Sequence, residues 1–134
     1  MEKILMVEDS ALECELLIEI LRGSGVKHEF LQARDGEEGL KTLAKNYKEI
    51  SLILLDWQMP QMSGLEFMAG VIKVPVTAAI PIIMVTASGS ENDKRRAREV
   101  NPSLAGYVVK PYTPEHLLET INPFLKTKGG DSNG

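Results

Sequence analysis

The run LILLDWQMP, residues 52–60, decides how this chain folds. Leu52, Ile53, Leu54 and Leu55 follow one another with neither helical nor alternating gaps, so both faces of the segment need cover. That is the pattern of a central strand in a parallel sheet. Asp56 then puts a carboxylate at the end of the run, where desolvation is most costly. Two readings are open. Either the run ends at the surface and Asp56 opens the next turn, or the strand delivers a reactive carboxylate to a site.

Outward from this run, four more apolar stretches have the length of strands: Ile4 to Val7, Phe30-Leu31, Pro81 to Thr86 and Gly106 to Val109. Between them, apolar residues recur at helical spacing. Leu16, Leu17, Ile20 and Leu21 lie in a helix from Ala11 to Leu21, with Gly23 and Gly25 as stops, while Cys14, Ile18 and Leu12 sit beside that stripe. Leu40, Leu43 and Ala44 mark a helix from Gly36 to Tyr47, and Leu65, Phe67, Met68 and Val71 one from Ser63 to Lys73. Asp93 to Val100 reads as a mostly solvated helix, and Leu117, Leu118 and Ile121 face inward from the last, Pro114 to Ile121. Pro114 suits a first turn, and Pro123 ends or kinks what precedes it.

Five strands alternating with five helices imply right-handed βαβ units, hence an α/β fold whose parallel sheet is covered on both faces. One domain is expected over residues 1–127. Residues 128–134, KGGDSNG, contain nothing that builds a core and read as a disordered tail or the start of a linker.

The bulk composition narrows the function. With 134 residues, 43% of them hydrophobic and 25% charged, the chain can bury an ordinary core unaided. A net charge of -4 argues against a nucleic-acid surface. The single cysteine, Cys14, excludes an internal disulfide and fits a reducing cytoplasm. The acids at Glu8 and Asp9 come too early for a signal peptide, and no apolar run reaches membrane length.

In open α/β sheets, function gathers beyond the carboxyl ends of the strands. Glu8 and Asp9 follow the first strand, Asp56 the third and Lys110 the fifth, while Thr86 ends the fourth. Each residue has an ordinary explanation when taken alone. Glu8-Asp9 complements a helix start, Asp56 opens a turn, Thr86 bonds to backbone, Lys110 is solvated and Tyr107 is core. Their coincidence on one rim favours a site. Converging carboxylates repel and need a cation, and oxygen-only donors point to magnesium. A fixed ammonium and a hydroxyl complete an electrostatic clamp of the kind phosphoryl transfer uses, with Asp56 as nucleophile and an aspartyl phosphate as product. His28 and His116 have no partner pattern.

The motifs VEDS (residues 7–10), LLDWQMPQMSGLEF (54–67), PIIMVTAS (81–88) and GYVVKPYT (106–113) resemble those of the response-regulator receiver family, the CheY-like phosphoacceptor domains of two-component signalling. The resemblance spans about residues 3–126. It implies the flavodoxin-like strand order 2-1-3-4-5. It also implies that Asp56 accepts a phosphoryl group from a histidine kinase or a histidine phosphotransfer protein. Mg2+, for which Mn2+ can substitute, is then bound by Asp9, Asp56 and the Gln58 backbone carbonyl, with Glu8 acting through a water. Lys110 pairs with Asp56 and then with the phosphoryl group, and its bond to Pro111 is cis. Thr86 and Tyr107 form the switch that remodels the face of the fourth helix, fifth strand and fifth helix, signalling to a downstream protein. Gln58 and Ser88, two residues after Asp56 and Thr86, tune phosphoryl lifetime. The first helix, with Cys14, Ile18 and Leu12, presents either a wide core face or a docking patch for the kinase.

The resemblance implies self-catalysed phosphotransfer and slow autodephosphorylation in a cytoplasmic signalling domain, not an enzyme with turnover. It implies neither membrane nor direct nucleic-acid binding, and homodimerisation is compatible with it. The segment Glu99 to Gly106 is slightly longer than the family pattern and interrupted by Pro102. Two alternatives stand beside this reading. One is a pseudo-receiver that binds without being phosphorylated; the intact Asp9, Asp56, Thr86 and Lys110 set opposes it. The other is a phosphatase with an aspartyl-phosphate intermediate; it wants a second Asp where Gln58 stands.

Overall fold

The computed structural model describes residues 2–59 and 61–125, so the expected tail at 128–134 and the boundary at 127 lie outside the described residues. Five parallel strands, β1 (Lys3–Val7), β2 (Glu29–Ala33), β3 (Ile50–Leu55), β4 (Ile82–Thr86) and β5 (Gly106–Val109), form one sheet in the order β2-β1-β3-β4-β5. The helices are α1 (Ala11–Gly23), α2 (Gly36–Asn46), α3 (Gly64–Ile72), α4 (Pro75–Ala78), α5 (Glu91–Val100) and α6 (Pro114–Ile121). The α/β class and strand order are those expected.

The central run explains itself in the packing. Leu52 and Leu54 of β3 point into a core shared with Cys14, Leu17 and Leu21 of α1 and Leu117 and Ile121 of α6. Ile53 and Leu55 point the other way, onto Leu43 of α2, Phe67, Met68 and Val71 of α3 and Ala97 of α5. All four are at most 2% exposed, because a strand between two helical layers has no solvent face.

Side-chain caps set most helix starts. Ser10, Asp35, Ser63, Ser90 and Thr113 each accept a hydrogen bond from the backbone N–H three residues on. Ser90 therefore starts α5 at Glu91, two residues before the expected Asp93. α6 ends at Ile121 as expected, and Asn122–Phe124 adds one 3-10 turn containing Pro123. The segment around Pro102 stays tied to the sheet: the Asn101 side chain accepts from Ser103 N–H, and Ala105 N–H donates to Ile82 O.

Two sequence readings are corrected. Helix α4 was not anticipated: Val74 is extended, Pro75 supplies a preset first-turn φ, and the Thr77 hydroxyl donates to Val71 O at 2.6 Å, closing one turn after α3. Helix α1 is also rotated from the expected stripe. Its buried residues are Cys14, Leu17 and Leu21, spaced i, i+3 and i+7, whereas Leu16 is 46% exposed and Leu12 71%. The stripe is narrower than the sequence suggested, and Cys14 belongs to it.

The burial of Cys14 has a chemical consequence. Desolvation first, then the charge of Glu8, pushes its thiol up to about 12. At pH 8 roughly one molecule in ten thousand carries the thiolate that alkylates. Iodoacetamide at pH 8 should therefore leave the native protein unmodified by intact mass and label it in urea. Rapid native labelling would mean that α1 opens.

Candidate functional site

Sheet register brings the rim together. Val7 lies opposite Leu55, and Thr86 opposite Val109, so the residues that follow these strands emerge on one edge. The ladder continues one bond further: Asp56 N–H donates to Val7 O, Glu8 N–H to Ala33 O and Lys110 N–H to Thr86 O, each at 2.9 Å. Lys110 is joined to Pro111 by a cis peptide bond.

At that edge, ligand oxygens of Glu8, Asp9 and Asp56 all lie within 4.8 Å of one another. Glu8 is buried and Asp9 exposed, so the cluster runs from the interior to solvent. Lys110 reaches it from the end of β5. Its Nζ is 2.8 Å from Glu8 Oε1, 3.7 Å from Glu13 Oε1 and 4.0 Å from Asp56 Oδ2. The ammonium thus sits on Glu8 rather than on Asp56. Glu8 is the most buried of the three acids, so its need for a counter-charge is greatest. Glu8 Oε2 also accepts from Ser10 N–H, and Trp57 N–H donates to Asp56 Oδ1 at 2.7 Å, orienting both carboxylates.

The electrostatics combine burial with a surplus of negative charge. Burial pushes the Glu8 carboxyl above the usual range, and neighbouring Asp56 adds to it against the pull of Lys110. Burial draws Lys110 down, but the Glu8 hydrogen bond and the charges of Asp56, Glu8 and Glu13 together raise it. Glu8 rises chiefly because it is buried, and Lys110 because several carboxylates surround one ammonium.

The donor set fits a hard divalent cation. Every candidate ligand is an oxygen, and no thiolate or imidazole enters the cluster, which suits magnesium or manganese rather than zinc or copper. An open cleft of about 500 Å³ adjoins it, lined by Asp9, Trp57, Gln58, Met59 and Ser63. Gln58 therefore borders the same space as Asp9. Gly64 N–H donates to Trp57 O at 2.9 Å, holding the start of α3 against the loop that carries Asp56.

Thr86, 1% exposed, ends β4 beside this rim. Its Oγ1 accepts from Ser88 N–H at 3.2 Å, and the Tyr107 hydroxyl donates to Ser88 O. Ser88 therefore links the two. Burial first, and then the charge of Asp93, pushes the Tyr107 phenol up to about 12. Cations of α5 cover two aromatics near the rim: Lys94 stacks over Tyr107 and Arg96 over Trp57.

Sequence reasoning missed Glu13. The signal was the S-x-x-E spacing of Ser10 and Glu13, which announces a reciprocal capping box. Such a box forms at Ser63–Glu66. At Ser10 only half of it forms, because Glu8 occupies the Ser10 N–H and Glu13 turns to Lys110.

Comparisons with known proteins bear on the family and the fold. A family model described as the response regulator receiver domain matches residues 4–122. The chain is 32% identical to the phosphate regulon transcriptional regulatory protein PhoB of Escherichia coli over 124 residues, 92% of this chain and 52% of PhoB. It thus spans about half the length of that curated relative. Chemotaxis protein CheY4 of Vibrio cholerae superposes with a TM-score of 0.80 at 33% identity, covering 93% of this chain and 99% of CheY4. The Mn(2+)-bound form of response regulator Rcp1 superposes with a TM-score of 0.77 at 30% identity, covering 95% of this chain and 96% of Rcp1. Among the described residues, no helix is long and apolar enough to cross a membrane.

Proposed function

The chain belongs to the response regulator receiver domain family of two-component systems, and from that membership we propose that Asp56 accepts a phosphoryl group from the phosphohistidine of a histidine kinase or histidine phosphotransfer protein. The observation that carries this reading is the convergence of Glu8, Asp9 and Asp56 within 4.8 Å, with the Lys110 ammonium 4.0 Å from Asp56. An Asp56 oxygen bonds to phosphorus while the bond from phosphorus to the donor imidazole nitrogen breaks, and that nitrogen keeps the electron pair. Lys110 leaves Glu8 to meet the incoming oxygens and stabilises the charge they carry during transfer.

Asp9, Asp56 and the Gln58 carbonyl would hold Mg2+, with Glu8 reaching it through a water; the ion would supply neutralisation of phosphoryl charge. The Mn2+ bound by Rcp1, a neighbour at 30% identity, supports the tolerance of this pocket for Mn2+. Gln58 and Ser88 border the path of water to phosphorus and tune the lifetime of the adduct, which decays slowly without a partner.

Thr86 and Tyr107 then act as the switch, and Ser88 is the physical reason they move together. When the Thr86 hydroxyl turns to the phosphoryl group it releases Ser88 N–H, loosening the segment whose carbonyl holds the Tyr107 hydroxyl. The face that changes is α5–β5–α6, the extra helix α4 having shifted the count by one. It signals to a downstream protein or a second copy of the chain, in the cytoplasm. Incubation with acetyl phosphate and Mg2+ tests this function by intact mass. A single stable phosphate adduct is expected. Its absence would leave a phosphorylation-independent binding module, and multiple turnover of varied phosphate esters would indicate a hydrolase.

The donor protein docks on α1. The exposed apolar residues there are Leu12 and Leu16, while Ile18 packs against the core, so Leu16 is the position to change. Leu16→Glu should slow transfer from a phosphohistidine protein about tenfold, the loss of a modest apolar contact. Labelling by acetyl phosphate should stay unchanged. Equal rates with both donors would remove α1 from the docking surface.

A further inference from the structure

We propose that Glu13 is a positioning residue that competes with the phosphoryl group for the Lys110 ammonium and thereby sets how readily Asp56 is phosphorylated. This rests on the reading of Asp56 as phosphoacceptor and Lys110 as its phosphoryl contact. Three observations carry it. Glu13 Oε1 lies 3.7 Å from Lys110 Nζ, nearer than Asp56 Oδ2 at 4.0 Å. The Lys110 side chain is only 17% exposed, so one largely buried ammonium is shared among three carboxylates, of which Glu13, at 38%, faces solvent most. And Glu13 is released for this contact, since the backbone N–H it would occupy in a capping box is taken by Glu8.

The consequence follows from the movement that Lys110 must make. Phosphorylation adds charge at Asp56, and the ammonium has to shift toward it. Glu8 would then be left to face the cation site. Glu13, on the first turn of α1, has no other named partner among the described residues and continues to attract Lys110. Nearby in sequence to Lys110, the buried Tyr112 hydroxyl has no hydrogen-bond partner among the described residues. That phenol is pushed up by burial first and by the charge of Glu13 second. The competition for Lys110 belongs to the charge pattern of this pocket and would not alter the fold.

Glu13→Gln tests the idea by keeping the size and removing the charge. Labelling of Asp56 should accelerate about two- to fivefold, the range of partly exposed ion pairs. The gain should fall on the maximal rate more than on the donor concentration for half-maximal rate, because Lys110 meets the phosphoryl group in the transition state. Acetyl phosphate and the less negative phosphoramidate should give the same gain, with the urea midpoint nearly unchanged. A gain with acetyl phosphate alone would mean repulsion of the donor, and an unchanged or slower rate would mean a structural role; either overturns the proposal. If the parent chain takes phosphate from neither donor, the phosphoacceptor reading itself fails, and this role with it.

Discussion

Asp56→Asn should take no phosphate from acetyl phosphate and, in EDTA, should unfold at a higher urea concentration than the parent. The first effect is loss of the nucleophile: an amide oxygen does not form the acyl phosphate. The second follows from the crowding of carboxylates within 4.8 Å. Removing one charge relieves repulsion with Glu8 and Asp9, whereas the attraction lost is to an ammonium already 2.8 Å from Glu8 and 4.0 Å from Asp56. The Trp57 N–H bond survives, because the amide oxygen can still accept it. A gain of about 1 kcal/mol is expected, of the kind found when a functional site is neutralised. Magnesium should reverse the order. A ligand at a hundred times its Kd stabilises by about 2.7 kcal/mol, and the variant has lost one ligand charge. Urea midpoints with and without Mg2+ should therefore cross between the two proteins. A phosphate adduct retained in Asp56→Asn would move the acceptor elsewhere.

Gly64→Ala should damage the site without altering any charged residue. A Cβ at Gly64 would stand 2.2 Å from the Asp56 carbonyl oxygen and 3.0 Å from Trp57 Cα, both backbone atoms that cannot swing aside. Either α3 withdraws, exposing part of the layer built on Phe67, Met68 and Val71, or the Asp56 loop shifts off the rim. Overpacking of this kind costs about 3 kcal/mol. Chemical denaturation measures that cost, and acetyl phosphate labelling of the folded fraction should slow by at least about tenfold, since reacting groups tolerate little misplacement. Gly70→Ala is the control in the same helix. Its Cβ meets Leu40 at an ordinary 3.4 Å, so it should be neutral or stabilise by about 0.5–1 kcal/mol. Similar losses in both variants would attribute the effect to helix α3 as a whole.

The short helix α4 and the contacts of Lys110 show where local reading ended. Val74-Pro75-Val76-Thr77 has no periodicity to detect; its turn exists because the Thr77 hydroxyl reaches back to Val71 O. On α1, Leu16 and Leu17 carry the same hydrophobic signal, and only the sheet beneath decides that Leu17 is 2% exposed and Leu16 46%. Glu13 gave a capping signal that was half true, since the competing acceptor, Glu8, lay in the preceding strand end.

By itself the sequence determined the five strands, five of the six helices, the parallel α/β class and the single rim to which Glu8, Asp9, Asp56, Thr86 and Lys110 belong. Period and order along the chain are local properties, and a parallel sheet converts strand ends into neighbours. Tertiary structure alone decided which carboxylate holds the Lys110 ammonium, and that Ser88 joins Thr86 to Tyr107. Those pairings turn on whether an ammonium lies 2.8 Å or 4.0 Å from a carboxylate, between residues up to 102 positions apart, and on burial that no local pattern encodes.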